Sequence, residues 1–252
     1  MNSTRLHRAV RKLVRPLRRR LQNEPPSSSI EDFSGGCLIL IAHPDDEVFC
    51  SGLICELRAK GVEVHLVCFT RGEGGERGQL SENSDLGQER EKELKKASEI
   101  LGCSSLTLLD YIDPLPVKEE LTAPSHDSAE LLAELETLIT KYSPTNLITH
   151  GSSGEYWHPA HLCLHRHARI LNRRLPRLQL WTHNAWSPEH PLQGILNQDD
   201  LPSFTLDTSA YHEQRLQALA SHNSQQAVFE RFAKGKLTDF ISQTAIESYR
   251  KW

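Results

Sequence analysis

The sequence predicts an α/β fold, a three-layer α/β/α sandwich around a mostly parallel, Rossmann-like sheet. Two observations predict it. Short apolar runs alternate with amphipathic stretches of helical length, the pattern of strands joined by crossover helices. The first run, Cys37-Leu38-Ile39-Leu40-Ile41-Ala42, is apolar without interruption, as befits a strand buried on both faces of a parallel sheet. A chain of 252 residues is long enough to give such a sheet a real core.

The elements follow in order. After the first strand, residues 47–60 read as helix and Val62 to Thr70 as a second strand. A glycine-rich loop, Arg71-Gly72-Glu73-Gly74-Gly75-Glu76-Arg77-Gly78, comes next. Residues 87–101 form a charged amphipathic helix that Gly102 ends. Leu106 to Leu109 is a third strand, 127–142 a helix stopped before Pro144, and Asn146 to His150 a fourth strand. Residues 159–172 read as helix, Leu178 to Thr182 as a fifth strand and Phe204-Thr205-Leu206 as a weaker one; the tail from Ala210 to Tyr249 is expected to be mainly helical.

Residues 1–34 stand apart as a basic N-terminal arm and linker, and residues 35–252 as a single domain. Residues 1–22 hold eight Arg and Lys and no acid, which leaves 21 basic against 33 acidic residues for the rest, near −12. Such a body is a poor general binder of nucleic acid, and none is expected as a partner. In the arm, Leu6, Val10, Leu13, Leu17 and Leu21 fall at helical spacing, interrupted by Pro16. It reads equally as a basic amphipathic helix on an anionic membrane surface and as a solvated extension before the Glu24-Pro25-Pro26-Ser27-Ser28-Ser29 linker. No apolar run reaches the ~20 residues that span a bilayer, and no signal-peptide core follows the basic stretch. Six irregularly spaced cysteines without a Cys-x-x-Cys pair point to reduced core thiols. The expected location is therefore the cytoplasm, with peripheral attachment to the inner membrane face if the arm binds lipid.

Two clusters carry chemistry. His43-Pro44-Asp45-Asp46-Glu47 directly follows the first strand, and open parallel sheets bind ligands at the carboxyl ends of their strands. Three carboxylates crowded there repel one another, and a divalent cation resolves the conflict. His43 and Asp46 suit zinc, with metal–ligand distances of about 2.0–2.2 Å, and leave Asp45 free as a base. Helix capping by Asp45 and Asp46 accounts for the carboxylates but not for His43. The second cluster, His158-Pro159-Ala160-His161, follows the fourth strand and a Gly151–Trp157 loop. Pro159 suits the first position of a helix, and the two histidines face one side of its start. Alone, His-x-x-His is weak in a chain with 13 histidines. Together the clusters offer His43, Asp46 and His161 as metal ligands, with a fourth position open, the pattern of catalytic rather than structural zinc. Another divalent ion would also suit N and O donors.

Ala42 to Glu47 after a buried strand, followed by Gly154-Glu155-Tyr156-Trp157-His158-Pro159-Ala160-His161, resembles the LmbE-like (PIG-L) family of zinc deacetylases, which remove acetyl groups from N-acetylglucosamine conjugates. Thr70-Arg71-Gly72-Glu73, the helix with Arg90, Glu93 and Leu94, and His222-Asn223-Ser224-Gln225 also look like that family, so the likeness covers roughly residues 37–226. Ala160 stands where the family commonly has aspartate, and Arg215 where it often has lysine. The resemblance implies His43, Asp46 and His161 as ligands, Asp45 as general base and His158 as acid or, if protonated, electrostatic stabiliser. The Tyr156 hydroxyl is a further candidate for the developing oxyanion and for substrate contact. Arg71, through its fork of donors, and Glu47 are the other substrate-binding candidates, and Glu47 also suits support of the first helical turn. The expected activity is zinc-dependent removal of the N-acetyl group from an amino-sugar conjugate. The alternatives are a metal-dependent phosphoesterase, which commonly needs two metals, and a sugar- or nucleotide-binding protein, whose support is the glycine-rich loop.

Overall fold

The computed structural model describes Arg15, residues 27–118 and residues 120–252. The arm expected over residues 1–23 lies outside the described residues except for Arg15.

A single seven-stranded sheet organises these residues. Its strands are β1 (Cys37–Ile41), β2 (Val64–Thr70), β3 (Ser105–Tyr111), β4 (Asn146–Thr149), β5 (Gln179–His183), β6 (Phe204–Asp207) and β7 (Ile246–Lys251), in the order β3-β2-β1-β4-β5-β7-β6. β1 to β5 pair in parallel; β7 runs antiparallel to both β5 and β6. The helices are α1 (Ser51–Ala59), α2 (Leu86–Leu101), α3 (Ser128–Tyr142), α4 (Pro159–Arg174), α5 (His212–Leu219), α6 (Gln226–Ala233) and α7 (Leu237–Gln243).

The uninterrupted hydrophobicity of β1 has the expected cause. Cys37, Ile39 and Ile41 pack on one face with residues of α1 and α2, while Leu38, Leu40 and Ala42 pack on the other with residues of α3 and α4. That is the three-layer sandwich. Packing on the sheet already begins at Phe33, whose ring stacks on Trp181 at 4.4 Å between centroids.

Helix ends follow local chemistry. Gly102, at φ 78°, closes α2 in the left-handed conformation that glycine adopts without a Cβ penalty. The Asp127 carboxylate accepts from the amides of Ala129 at 2.7 Å and Glu130 at 3.0 Å, capping α3. Asp127→Ala is expected to cost about 1 kcal/mol and roughly 2–4 °C in Tm, measured by thermal melts; an unchanged melt would show the cap to be energetically idle.

The tail is mainly helical, as expected, but not to its end: Ile246–Lys251 forms β7, inserted between β5 and β6. The strand has a functional consequence. Buried Glu247 reaches across to accept from the amides of Gly52 at 2.7 Å and Leu53 at 2.9 Å, binding the N-terminus of α1 where the helix dipole favours a carboxylate. Arg215, only 1% exposed, lies 3.5 Å from Glu247 and spreads its fork over Ser51, Thr208 and Thr244. A lysine keeps the charge at that position but cannot make this set of bonds.

The topology places the site. β1 pairs with β2 on one side and with β4 on the other, Ile39 standing opposite both Leu66 and Ile148. The chain moves outward from β1 through β2 to β3 and then returns to β4. The crevice at such a reversal, beyond the carboxyl ends of the strands, is where open α/β sheets bind ligands. The segments after β1 and β4 are the two that carry the histidine clusters.

Candidate metal centre

After β1 the chain turns sharply. Asp45 has φ 108°, a left-handed conformation that is strained for a residue with a Cβ. A 3-10 turn, Asp46–Cys50, then leads into α1 in place of the continuous helix expected from residue 47. The turn folds Asp46 back, so its Oδ2 accepts from the His43 amide at 2.8 Å. The same Oδ2 lies 3.2 Å from His43 Nδ1 and 3.4 Å from His161 Nε2, and the two imidazole nitrogens are 3.4 Å apart. His161 comes from the first turn of α4, which Pro159 opens. Three donor atoms from the two clusters thus form a nearly equilateral triangle, and all three side chains are buried.

Hydrogen bonds decide which nitrogens are free to bind an ion. His161 Nδ1 faces Glu155 Oε2 at 2.5 Å, so the ring donates there and turns the Nε2 lone pair to the triangle. His43 directs Nδ1 to the triangle, and its Nε2 lies 3.4 Å from Asp113 Oδ1, an electrostatic contact longer than a good hydrogen bond. Each imidazole therefore has an outer carboxylate behind it. His150 also approaches Asp46, at 3.6 Å, and with Asp46 and His161 it makes another possible ion-binding group. Its Nε2, however, accepts from the Ala42 amide at 3.0 Å, and its Nδ1 meets Glu155 at 3.1 Å. Its lone pair is taken, so His150 braces the site instead of facing an ion.

Charge in this pocket is unbalanced toward the acid side. Burial opposes ionising Asp46, but the His161 and His150 rings outweigh it and hold the carboxyl well below its usual range. Burial likewise opposes charging His161, yet Asp46 and Glu155 lift it to about 10. The pocket demands positive charge, which a protonated imidazole or a divalent cation satisfies. The donor set fits such a cation: two imidazoles and one carboxylate, mutually spaced for one ion.

Asp45 stands beside the triangle. Burial pushes it up to about 6, against the pull of Arg90, whose Nη2 lies 3.0 Å from Asp45 Oδ2. Buried Arg90 also donates to the carbonyls of Pro44 and Gly72. Gly72, at φ 68°, makes room for it, since a Cβ there would meet Arg90 Nη1 at 2.2 Å. The His158 ring packs 4.6 Å from His43 and 4.7 Å from His161. Tyr156 borders both His158 and His161 edge-on and is 41% exposed.

Glu47 and Arg71 have protein partners of their own. Glu47 is fully buried; its Oε1 pairs with His222 Nε2 at 2.5 Å and its Oε2 accepts from the Asp45 amide at 3.0 Å. It holds the Asp45 turn and cannot reach a substrate. Arg71 commits Nε to Glu91 at 2.6 Å and Nη1 to Asp110 at 3.1 Å, on α2 and β3, so the arginine built into the cluster is Arg90. His158 is pushed down to about 2 by burial and by the neighbouring His161 and His43.

Sequence reasoning passed over Glu155 and Asp113. Glu155 lies inside a quoted motif, and its unusual backbone (φ 57°, ψ −86°) had no local signal. Asp113 lies in a stretch with no readable motif. Asn197 was missed as well; its Nδ2 donates to Glu155 Oε1 at 2.8 Å.

The family model described as GlcNAc-PI de-N-acetylase (PIG-L) matches residues 38–171, just over half of the chain and inclusive of both clusters. The chain belongs to the PIG-L family. Among curated PIG-L relatives it is 29% identical to the 1D-myo-inositol 2-acetamido-2-deoxy-alpha-D-glucopyranoside deacetylase of Mycolicibacterium vanbaalenii, over 76% of this chain and 81% of that protein. It is 26% identical to a probable N-acetyl-alpha-D-glucosaminyl L-malate deacetylase of Bacillus cereus, over 75% of this chain and 82% of that one. Solved structures share the fold at lower identity. The N,N'-diacetylchitobiose deacetylase of Pyrococcus horikoshii superposes with a TM-score of 0.59 at 19% identity, over 98% of this chain and 92% of its own. The 4-carboxy-2-hydroxymuconate hydratase GalB of Pseudomonas putida superposes with 0.62 at 17% identity, over 86% and 95%. The PIG-L architecture thus also houses a hydratase, so the reaction has to be argued from the site. No helix among the described residues is long and apolar enough to cross a membrane.

Proposed function

We propose that this PIG-L protein is a zinc-dependent deacetylase that hydrolyses the N-acetyl group of an N-acetylglucosamine-type conjugate, with His43, Asp46 and His161 as metal ligands and Asp45 as general base. The observation that carries this reading is the triangle of donor atoms, with sides of 3.2, 3.4 and 3.4 Å. Tetrahedral coordination with bonds of about 2.0–2.1 Å requires edges of about 3.3 Å. A fourth position then remains for the reacting groups.

When bound, a divalent ion at this position supplies Lewis acidity, acidifying water and polarising a carbonyl. The chain's own groups do the rest. Asp45 accepts the proton of the attacking water and later returns it to the departing amine. Arg90 and the Glu47–His222 pair hold its carboxylate and backbone in place. The His158 N–H and the Tyr156 hydroxyl donate to the oxygen on which negative charge develops. Glu155 and Asp113 orient the two ligand imidazoles. The relatives' names describe sugar conjugates that carry an acetamido group, and this supports the substrate class.

A two-metal phosphoesterase holds its ions about 3.5–4 Å apart, and among the described residues the side-chain groups that could share an ion near the triangle offer at most one carboxylate each, which favours the one-metal reading.

The test is a screen of the full-length chain on N-acetylglucosaminyl conjugates, reading free amine and acetate. Chelation is expected to abolish amine release, and added zinc to restore it. Release of inorganic phosphate from phosphoesters, or turnover indifferent to chelation, would reject the reading.

A further inference from the structure

Away from the His43 triangle, α4 and the segment ahead of α3 bring together a second set of metal-competent side chains that the proposed reaction does not use. Cys163 and His167 stand four residues apart on α4 and so share one face of it. His126 comes from the chain just before α3. Its Nε2 lies 3.4 Å from Cys163 Sγ, and His167 Nδ1 lies 3.6 Å from the same sulfur. One donor atom from each of the three residues lies within 4.8 Å of the other two. Tetrahedral coordination with nitrogen at about 2.0 Å and sulfur at about 2.3 Å places those atoms about 3.5 Å apart.

The hydrogen bonds around the cluster point the same way. His126 Nδ1 is 2.8 Å from the Pro124 carbonyl, so that nitrogen carries the hydrogen and the Nε2 lone pair faces the sulfur. His167 Nδ1, the ring nitrogen that faces the sulfur, is also 2.8 Å from the Cys163 carbonyl, and its Nε2 is buried without a hydrogen-bond partner, so Nδ1 offers its lone pair only when the ring hydrogen sits on Nε2. Cys163 and His167 are buried and His126 is half-buried, which gives the cluster an edge open to solvent.

We propose that Cys163, His126 and His167 form a second metal site, distinct from the His43 triangle, for a thiophilic divalent ion such as zinc. A thiolate with two imidazoles selects such ions over magnesium or calcium. Binding breaks the Cys163 S–H bond, sends its proton to solvent and forms a sulfur–metal bond; no electron changes hands. His167 joins through Nδ1, giving up its bond to the Cys163 carbonyl as the ring hydrogen moves to Nε2, and solvent completes the coordination.

The site has a structural consequence. It ties His126 to α4. Asp113, 3.4 Å from His43 Nε2, precedes His126 in the chain, and His161 stands in the first turn of α4. An ion here fixes both walls of the candidate active site against each other. The proposal does not depend on the deacetylase reading.

Cobalt(II) titration of the metal-free, full-length chain tests it. Two equivalents should bind, and one of them should develop a near-ultraviolet thiolate-to-cobalt charge-transfer band. The His43 triangle has only nitrogen and oxygen donors, so it cannot produce that band. Cys163→Ser and His126→Gln should each remove the band and one equivalent, with circular dichroism of the metal-free variants unchanged. Asp46→Ala should lose the other equivalent and keep the band, so failure of either site is read separately. Uptake without a thiolate band in the wild type, or a band that survives Cys163→Ser, overturns the proposal.

Discussion

Asp45→Asn should lower kcat by about 10²–10⁴ while leaving the bound metal in place. The amide has the carboxylate's shape and can still accept from Arg90, whose other contacts, the carbonyls of Pro44 and Gly72, do not involve the side chain of Asp45. The triangle of His43, Asp46 and His161 is untouched, so metal content and the fold should be preserved. What disappears is the proton acceptor. The amide cannot take a proton from water or hand one to the amine. The loss should fall on kcat and kcat/KM together, because the interaction exists only in the transition state. Steady-state kinetics with metal analysis of the same sample decide the matter. A variant within about threefold of wild type in kcat would remove Asp45 from the mechanism.

The second large effect is expected at Glu155, which touches no reacting atom. Its carboxylate meets His161 Nδ1 at 2.5 Å and His150 Nδ1 at 3.1 Å, and it accepts from Asn197 Nδ2 at 2.8 Å and the Gly151 amide at 3.3 Å. In Glu155→Gln an amide N–H has to face another N–H, either of an imidazole or of Asn197 and Gly151, and the charge that makes His161 a strong donor is gone. Outer carboxylates of this kind typically tune metal affinity by 10–100-fold. The variant should therefore need about 10–100-fold more zinc for half-maximal activity and recover much of its kcat at saturation. That separates a positioning role from a catalytic one. Loss of kcat that excess zinc fails to restore, with metal affinity unchanged, would contradict it. Glu155→Ala should be worse, because it leaves two buried imidazoles and an amide without a partner, a defect of a few kcal/mol in stability as well.

Much of this was legible before any coordinates. The Cys37–Ala42 run identified a strand buried on both faces because nothing else keeps six consecutive apolar residues out of water in so short a stretch. Periodicity, with Gly102 and Pro144 as stop signals, located α2 and α3, because such residues act through local backbone conformation. His43, Asp46 and His161 stood out because imidazoles and carboxylates at strand ends are costly without a charge to bind.

Other features were hidden for identifiable reasons. β7 is hidden along the chain because its partners β5 and β6 lie about 40–70 residues away. The choice between Arg71 and Arg90 could not be made along the chain. Both look alike there, and only the left-handed Gly72 and the approach of α2 decide which one lies against Asp45. Asp113 and Asn197 come from segments without a readable motif, and their contacts with His43 and Glu155 leave no periodic trace.

By itself, the sequence determined the layered α/β architecture and singled out the side chains proposed to bind an ion. Those depend on local backbone preference, on burial period and on the intrinsic chemistry of imidazole and carboxylate. Tertiary structure decided which nitrogen of each histidine is free, which arginine supports the base and which carboxylates stand behind the ligands. These are properties of pairs of groups distant in the chain, fixed by distances of about 3 Å that only the packed sheet and helices impose.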